Sequence, residues 1–122
     1  GDDYPTADGT CIRDYVHVDD LIAAHLLVMN ALQPGEMRCY NIGIGRGQSV
    51  RDVIDAARRV TGHPIPAEMG PRRAGDPPVL YAQAERIRAD LGFVPRLKEL
   101  DPIVESAWKW RRAHPKGYGT AE

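Results

Sequence analysis

Residues 10–32 read TCIRDYVHVDDLIAAHLLVMNAL, and two periodicities meet inside them. From Cys11 to Val18 the period is two. Ile12, Asp14, Val16 and Val18 share one face, and Cys11, Arg13, Tyr15 and His17 share the other. Val, Ile and Tyr favour a strand. At Asp19-Asp20 the period changes. Either carboxylate can accept from the free N–H groups of a first helical turn, and its charge suits a helix N-terminus. Leu21, Ile22, Leu26, Met29 and Leu32 then give a broad apolar stripe at helical spacing. The stretch therefore predicts a strand feeding directly into a helix over 20–32. A cation, a hydroxyl and an imidazole on one strand face suit a polar ligand, but from this stretch alone an exposed face turned to water explains them better.

Downstream of this unit, Met37 to Ile44 predicts a short buried strand, with Cys39, Tyr40, Ile42 and Ile44 as its apolar residues. Gly43, Gly45 and Gly47 follow, and then a helix from Ser49 to Thr61. Ser49 and Asp52 form a capping box, Val50, Val53, Ile54, Ala57 and Val60 share a face, and Gly62 suits the stop. Strand, glycine loop and helix together raise the question of a phosphate loop. The glycine spacing fails the dinucleotide fingerprint, because Gln48 stands where the third small residue is needed. A tight turn that aims the helix explains the glycines better.

Ile65 to Met69 predicts another short strand. Then come Pro71, Arg72, Arg73, Ala74, Gly75, Asp76, Pro77 and Pro78, a stiff loop with two arginines and an aspartate. Arginine gives paired, charge-assisted bonds to phosphate, and aspartate accepts from ribose hydroxyls. An internal Arg–Asp pair in water is the competing explanation, although Arg13 on an upstream strand adds a guanidinium from a separate element, and two separated guanidiniums match a diphosphate better than a random surface does. Val79 to Tyr81 reads as extended, and Glu85 to Leu91 as a short helix stopped by Gly92. Phe93-Val94-Pro95 forms an apolar plug behind it. Asp101-Pro102 opens the last helix, with Leu100, Ile103, Val104, Ala107 and Trp108 on its buried face.

Length bounds the chain to one domain's worth of structure, and a net charge of -1 over 122 residues gives no reason to invoke nucleic acid or an anionic membrane. No apolar run approaches a membrane span. Cys11 and Cys39 lack CxxC spacing and read as reduced, buried, small apolar residues. His25, His63 and His114 have no metal-ligand spacing with one another or with the cysteines.

The strings DYPTADGTCIRDYVHVDDL, YNIGIGRGQSV, PRRAGD and WKWRRAHPKGYG together resemble the UDP-glucose 4-epimerase family, NAD-dependent members of the extended short-chain dehydrogenases/reductases. The resemblance covers essentially the whole chain but only the C-terminal third or so of such an enzyme. It implies a fragment, and the opening on Gly1 rather than Met agrees with that. The implied fold class is α/β: the C-terminal, substrate-binding portion of an extended Rossmann-type epimerase, with short strands and about four helices. Residues 10–44 would be a strand-helix-strand unit completing the Rossmann domain, and 45–122 the UDP-sugar-binding part. In that family an N-terminal half binds NAD, and the sugar 4-hydroxyl is oxidised by hydride transfer, turned over and reduced on its other face. The enzymes are cytoplasmic and homodimeric.

Matched residue by residue, Arg13 and Arg73 look like phosphate ligands and Asp76 like the ribose partner. Tyr15 lies in the same wall, and Leu80 sits beside the sugar, where it gates substituent size. A catalytic residue is not expected in this chain. The family base is the Tyr of YxxxK, yet the residues four places after Tyr4, Tyr15, Tyr40, Tyr81 and Tyr118 are Asp8, Asp19, Ile44, Glu85 and Glu122. His17 is the one candidate base near Arg13 and Tyr15, on a face assigned to the nucleotide rather than to the reacting carbon. NAD is expected to be held by the missing N-terminal half. The rival readings are another nucleotide-sugar epimerase or dehydratase of the same superfamily, and a stand-alone nucleotide-sugar-binding module.

Overall fold

The computed structural model describes residues 1–118; Gly119 and Glu122, used in the motif comparisons above, lie outside the described residues. Its elements in order are β1 (Ile12–Arg13), α1 (Val18–Ala31), β2 (Gln48–Ser49), α2 (Val50–Thr61), β3 (Val79–Leu80), α3 (Glu85–Leu91) and α4 (Leu100–Ala113). Four helices and a small three-stranded sheet make an α/β structure with very short strands. β1 is the central strand. It runs antiparallel to β2, with Ile12 opposite Ser49, and parallel to β3, with Arg13 opposite Leu80.

α2 forms where its local signals place it. The Ser49 hydroxyl accepts from the Asp52 N–H at 3.0 Å, and the Asp52 carboxylate accepts from the Ser49 N–H at 2.9 Å. Gly62 closes the helix at φ 71°, a left-handed conformation that costs glycine least. Gly92 ends α3 in the same way. α2 packs on α4, burying Ala56 and Leu100, while α1 packs on α3. Ala24, Ile87 and Phe93 form the other buried cluster, ringed by Val28, Tyr40, Ile42, Ala84 and Leu91. Phe93 is the buried part of the expected plug; Val94 is exposed.

Several expectations need correction. The strand expected through Val18 stops at Arg13, and His17 is the N-cap of α1: its ring nitrogen accepts from the Asp19 N–H at 3.1 Å. Asp20 turns away from its own helix to a loop. Its carboxylate is buried and accepts from the backbone N–H groups of Arg96 and Leu97. No ladder is formed by residues 39–44 or 65–69 among the described residues. Neither stretch meets a neighbouring strand, and Ile65 adopts a positive φ of 39°, which breaks extended geometry. α4 begins at Leu100 rather than at an Asp101 cap, because the Asp101 carboxylate is drawn to Arg59 on α2. Ala107 is exposed, Cys39 is exposed and Cys11 is only half-buried.

The apolar stripe of α1 faces outward. Ile22, Leu26 and Met29 are 51%, 50% and 61% exposed, and the buried positions of this helix are Asp20 and Ala24. Contiguous exposed apolar residues of this kind mark an interaction site or an aggregation liability.

Candidate functional site

The edge of the small sheet gathers the charged side chains. Arg13, on β1, points a guanidinium at Asp76 and forms an ion pair with one carboxylate oxygen. Its other terminal nitrogen donates to the Ile12 carbonyl at 2.7 Å, which fixes the fork. Asp76 sits on the stiff loop just after Gly75, and its N–H donates to the Arg73 carbonyl at 3.2 Å. Its second carboxylate oxygen accepts from the Tyr4 hydroxyl at 3.2 Å. Burial pushes the Asp76 carboxyl up, but the Arg13 hydrogen bond and charge, the Tyr4 hydroxyl and the Arg73 charge outweigh it and hold it below the ordinary range. Arg13 and Asp76 are thus brought together, and Arg73 precedes Asp76 on the same loop, tied to it through its backbone carbonyl.

Beside this cluster is a cleft of about 420 Å³ lined by Arg13, Asp14, Asn41, Leu80, Tyr81 and Ala82. Leu80 is more than half exposed at its wall. The cleft is built by Asp14, whose two carboxylate oxygens accept from the Ile44 N–H at 3.2 Å and the Ala82 N–H at 3.1 Å. One side chain thus ties β1 to the segments on both sides of it. Gly43 is required here: a Cβ would collide with the Asp14 carboxylate and the Ala82 carbonyl. Tyr15 is partly buried. Burial raises its hydroxyl pKa, Cys11 adds to this and the Arg13 charge offsets it; Tyr15 does not line the cleft.

His17 is separate. Its Nδ1 is occupied by the Asp19 N–H, and its Nε2 lies 2.7 Å from the Ser106 hydroxyl on α4, which itself donates to the Ile103 carbonyl. With both ring nitrogens committed and the ring buried, it joins α1 to α4 and does not face the cleft.

Similarity to known proteins follows this geometry. The NAD dependent epimerase/dehydratase family model matches residues 3–43, which hold Arg13, Asp14 and Tyr15. A UDP-glucose 4-epimerase of Halalkalibacterium halodurans is 51% identical over 98% of the chain, which covers 36% of that enzyme. A solved UDP-glucose 4-epimerase structure superposes with a TM-score of 0.91 at 51% identity, covering 98% of this chain and 37% of that one. The chain is similar to about a third of a UDP-glucose 4-epimerase. A further UDP-glucose 4-epimerase, from Bifidobacterium longum and solved in complex with NAD+ and UDP, matches with a TM-score of 0.89 at 41% identity over 97% of this chain and 35% of its own. The chain thus spans about a third of the length of the curated relatives it matches.

NAD does not fit the glycine loop that precedes α2. A dinucleotide phosphate would need the N–H groups at the start of α2. In this epimerase-like chain Asp52 and Ser49 already cap that turn, and the Ser49 hydroxyl donates to the Asp8 carboxylate. Anionic groups hold the place a phosphate would take, and Gly47 is packed against Ile12 and Tyr81.

Sequence reasoning missed Tyr4, Asp14 and Asn41. Asp14 stood inside the quoted RDY string, but as a member of the opposite strand face. Tyr4 stood in a turn-rich segment with nothing to mark its partner.

Proposed function

We propose that this chain is the UDP-sugar-binding part of a UDP-glucose 4-epimerase, interconverting UDP-glucose and UDP-galactose, and that it is catalytically incomplete alone. The observation that carries the reading is the Arg13–Asp76 ion pair, with Arg73 on the same loop as Asp76, and with Arg13 itself lining the cleft that Leu80 also lines. Two guanidiniums offer the donors a diphosphate needs, and the Asp76 carboxylate offers acceptors for ribose hydroxyls. Tyr15 would join the same site from outside the cleft lining, and Leu80 would meet the sugar. The catalytic base and the NAD site belong to an N-terminal Rossmann half, which would cover the outward apolar stripe of α1. Residues 10–44 would complete that half, and 45–122 would form the substrate part. NAD supplies the hydride acceptor there; the contribution of this chain is to bind the UDP-sugar and hold it in a fixed orientation. The complete enzyme would be a cytoplasmic homodimer.

Isothermal titration of the chain with UDP tests the binding role. A second assay follows UDP-galactose conversion by this chain, by the separately expressed Rossmann half, and by both mixed. UDP binding by the chain, with turnover only in the mixture, is the expected result. Turnover by the chain alone would overturn the division of roles.

A further inference from the structure

We propose that Tyr4 is a positioning residue of the nucleotide site, orienting the Asp76 carboxylate and, through it, the Arg13 guanidinium. This deepens the proposed function and rests on it, since it takes Arg13 and Asp76 as UDP-sugar contacts.

Tyr4 is only 6% exposed although it lies near the start of the chain. Its N–H donates to the Gly9 carbonyl at 2.9 Å, and its carbonyl accepts from the Thr6 N–H at 2.8 Å. Asp8, in the same turn, accepts from Thr10 and from the Ser49 cap of α2, so the turn is pinned to the body of the fold. The Arg72 guanidinium lies 4.5 Å from the Tyr4 ring centroid, and it also binds Asp3. The ring is therefore held on several sides, and its hydroxyl is presented to Asp76 from a fixed place.

A carboxylate offers about four lone-pair sites on its two oxygens. Arg13 takes one oxygen and Tyr4 the other, so each oxygen keeps an acceptor site for a ligand hydroxyl. Without the tyrosine hydroxyl the second oxygen loses its anchor. The group can then rotate and offer both oxygens to Arg13 in a fork. That arrangement uses up acceptors and neutralises the guanidinium more completely, and a ligand with both hydroxyls and phosphates loses on both counts. The chemistry selected is thus a ribonucleoside diphosphate, with the hydroxyls read by an Asp76 that Tyr4 holds still.

Tyr4→Phe keeps the ring and its stack on Arg72. Expected is UDP binding about 3- to 10-fold weaker, the scale of one net hydrogen bond, with a smaller loss for 2′,3′-dideoxy-UDP, which keeps the phosphates but lacks the hydroxyls that Asp76 reads. The Asp76 side-chain carbon, followed by NMR, should titrate at higher pH in this variant. Equal UDP affinity in both proteins, or an equal loss for UDP and its dideoxy analogue, would overturn the positioning role. Should Tyr4→Phe fail to fold, 3-fluorotyrosine at position 4 keeps the shape and strengthens the donor; an unmoved Asp76 titration would then sink the proposal. A wild-type chain that does not distinguish UDP from dideoxy-UDP refutes the assignment of Asp76 itself, and that failure is visible before any variant is made.

Discussion

Asp20 is the sharpest test of how the chain holds together. It is 1% exposed, and one carboxylate oxygen accepts from the Arg96 N–H at 3.0 Å and the Leu97 N–H at 2.9 Å. The other oxygen lies 3.6 Å from the Arg96 guanidinium. Asp20→Ala strands two backbone donors, each costing about 1–3 kcal/mol when left unpaired, so a loss of about 2–6 kcal/mol is expected. Asp20→Asn behaves differently because both bonds converge on one oxygen. The amide oxygen can keep both and loses only the charge assistance, a cost of about 1–2 kcal/mol. Burial pushes the Asp20 carboxyl up, but the two N–H donors and the Arg96 charge outweigh it, so its folded pKa lies below the ordinary 3.8. The sign follows: stability from this group is fully present above 3.8 and is lost as pH falls through the folded value. Urea melts followed by circular dichroism, at neutral pH and at a series of acid pH values, measure both effects. The Asn variant should lack this part of the acid sensitivity. Equal costs for Ala and Asn, or an Ala variant as stable as the parent, would refute the reasoning.

Other outcomes are equally definite. Arg73→Ala should weaken UDP by about 1.5–3 kcal/mol, the scale of a charge-assisted hydrogen bond, as read by titration calorimetry. Ile87→Ala, at the fully buried centre of the α1–α3 cluster, should cost about 2–5 kcal/mol in a urea melt. The exposed stripe of α1 should make the chain self-associate and bind a hydrophobic dye. Analytical ultracentrifugation of the Ile22→Glu, Met29→Lys double variant should show less association, and an unchanged profile would remove α1 from the contact. UDP-galactose should not be converted by the pure chain, with or without added NAD.

Elements fixed by neighbours in sequence were legible. The capping box at Ser49 and Asp52, the stops at Gly62 and Gly92, and the apolar stripe of α1, though not its outward direction, each depend on residues within a turn or two. Features fixed by distant partners were not. Asp19 and Asp20 carry the usual cap chemistry, but an imidazole nitrogen accepts as well as a carboxylate, and a loop around Arg96 and Leu97 claimed Asp20. A strand pattern survives only where another strand lies beside it, so β1 shrank to two residues and the segment at 39–44 pairs with no strand among the described residues. Arg13 and Asp76, both singled out in their strings, do meet as an ion pair. The Tyr4 hydroxyl, whose acceptor is 72 residues away, carried no such signal.

The central position of β1 has a kinetic consequence. Arg13 meets Asp76 across 63 residues of chain, and Asp14 meets Ala82 across 68. α2 and α3 can form from local contacts, but these long closures must be made against loop entropy before they return any energy. The charged edge should therefore be among the last parts to assemble and among the first to open. Amide exchange should show Ile12, Ile44 and Ala82 protected less than the middle of α2. A ligand that bridges Arg13 and Asp76 would act as a clasp on those closures, slowing the opening of β1 while leaving α2 exchange nearly untouched.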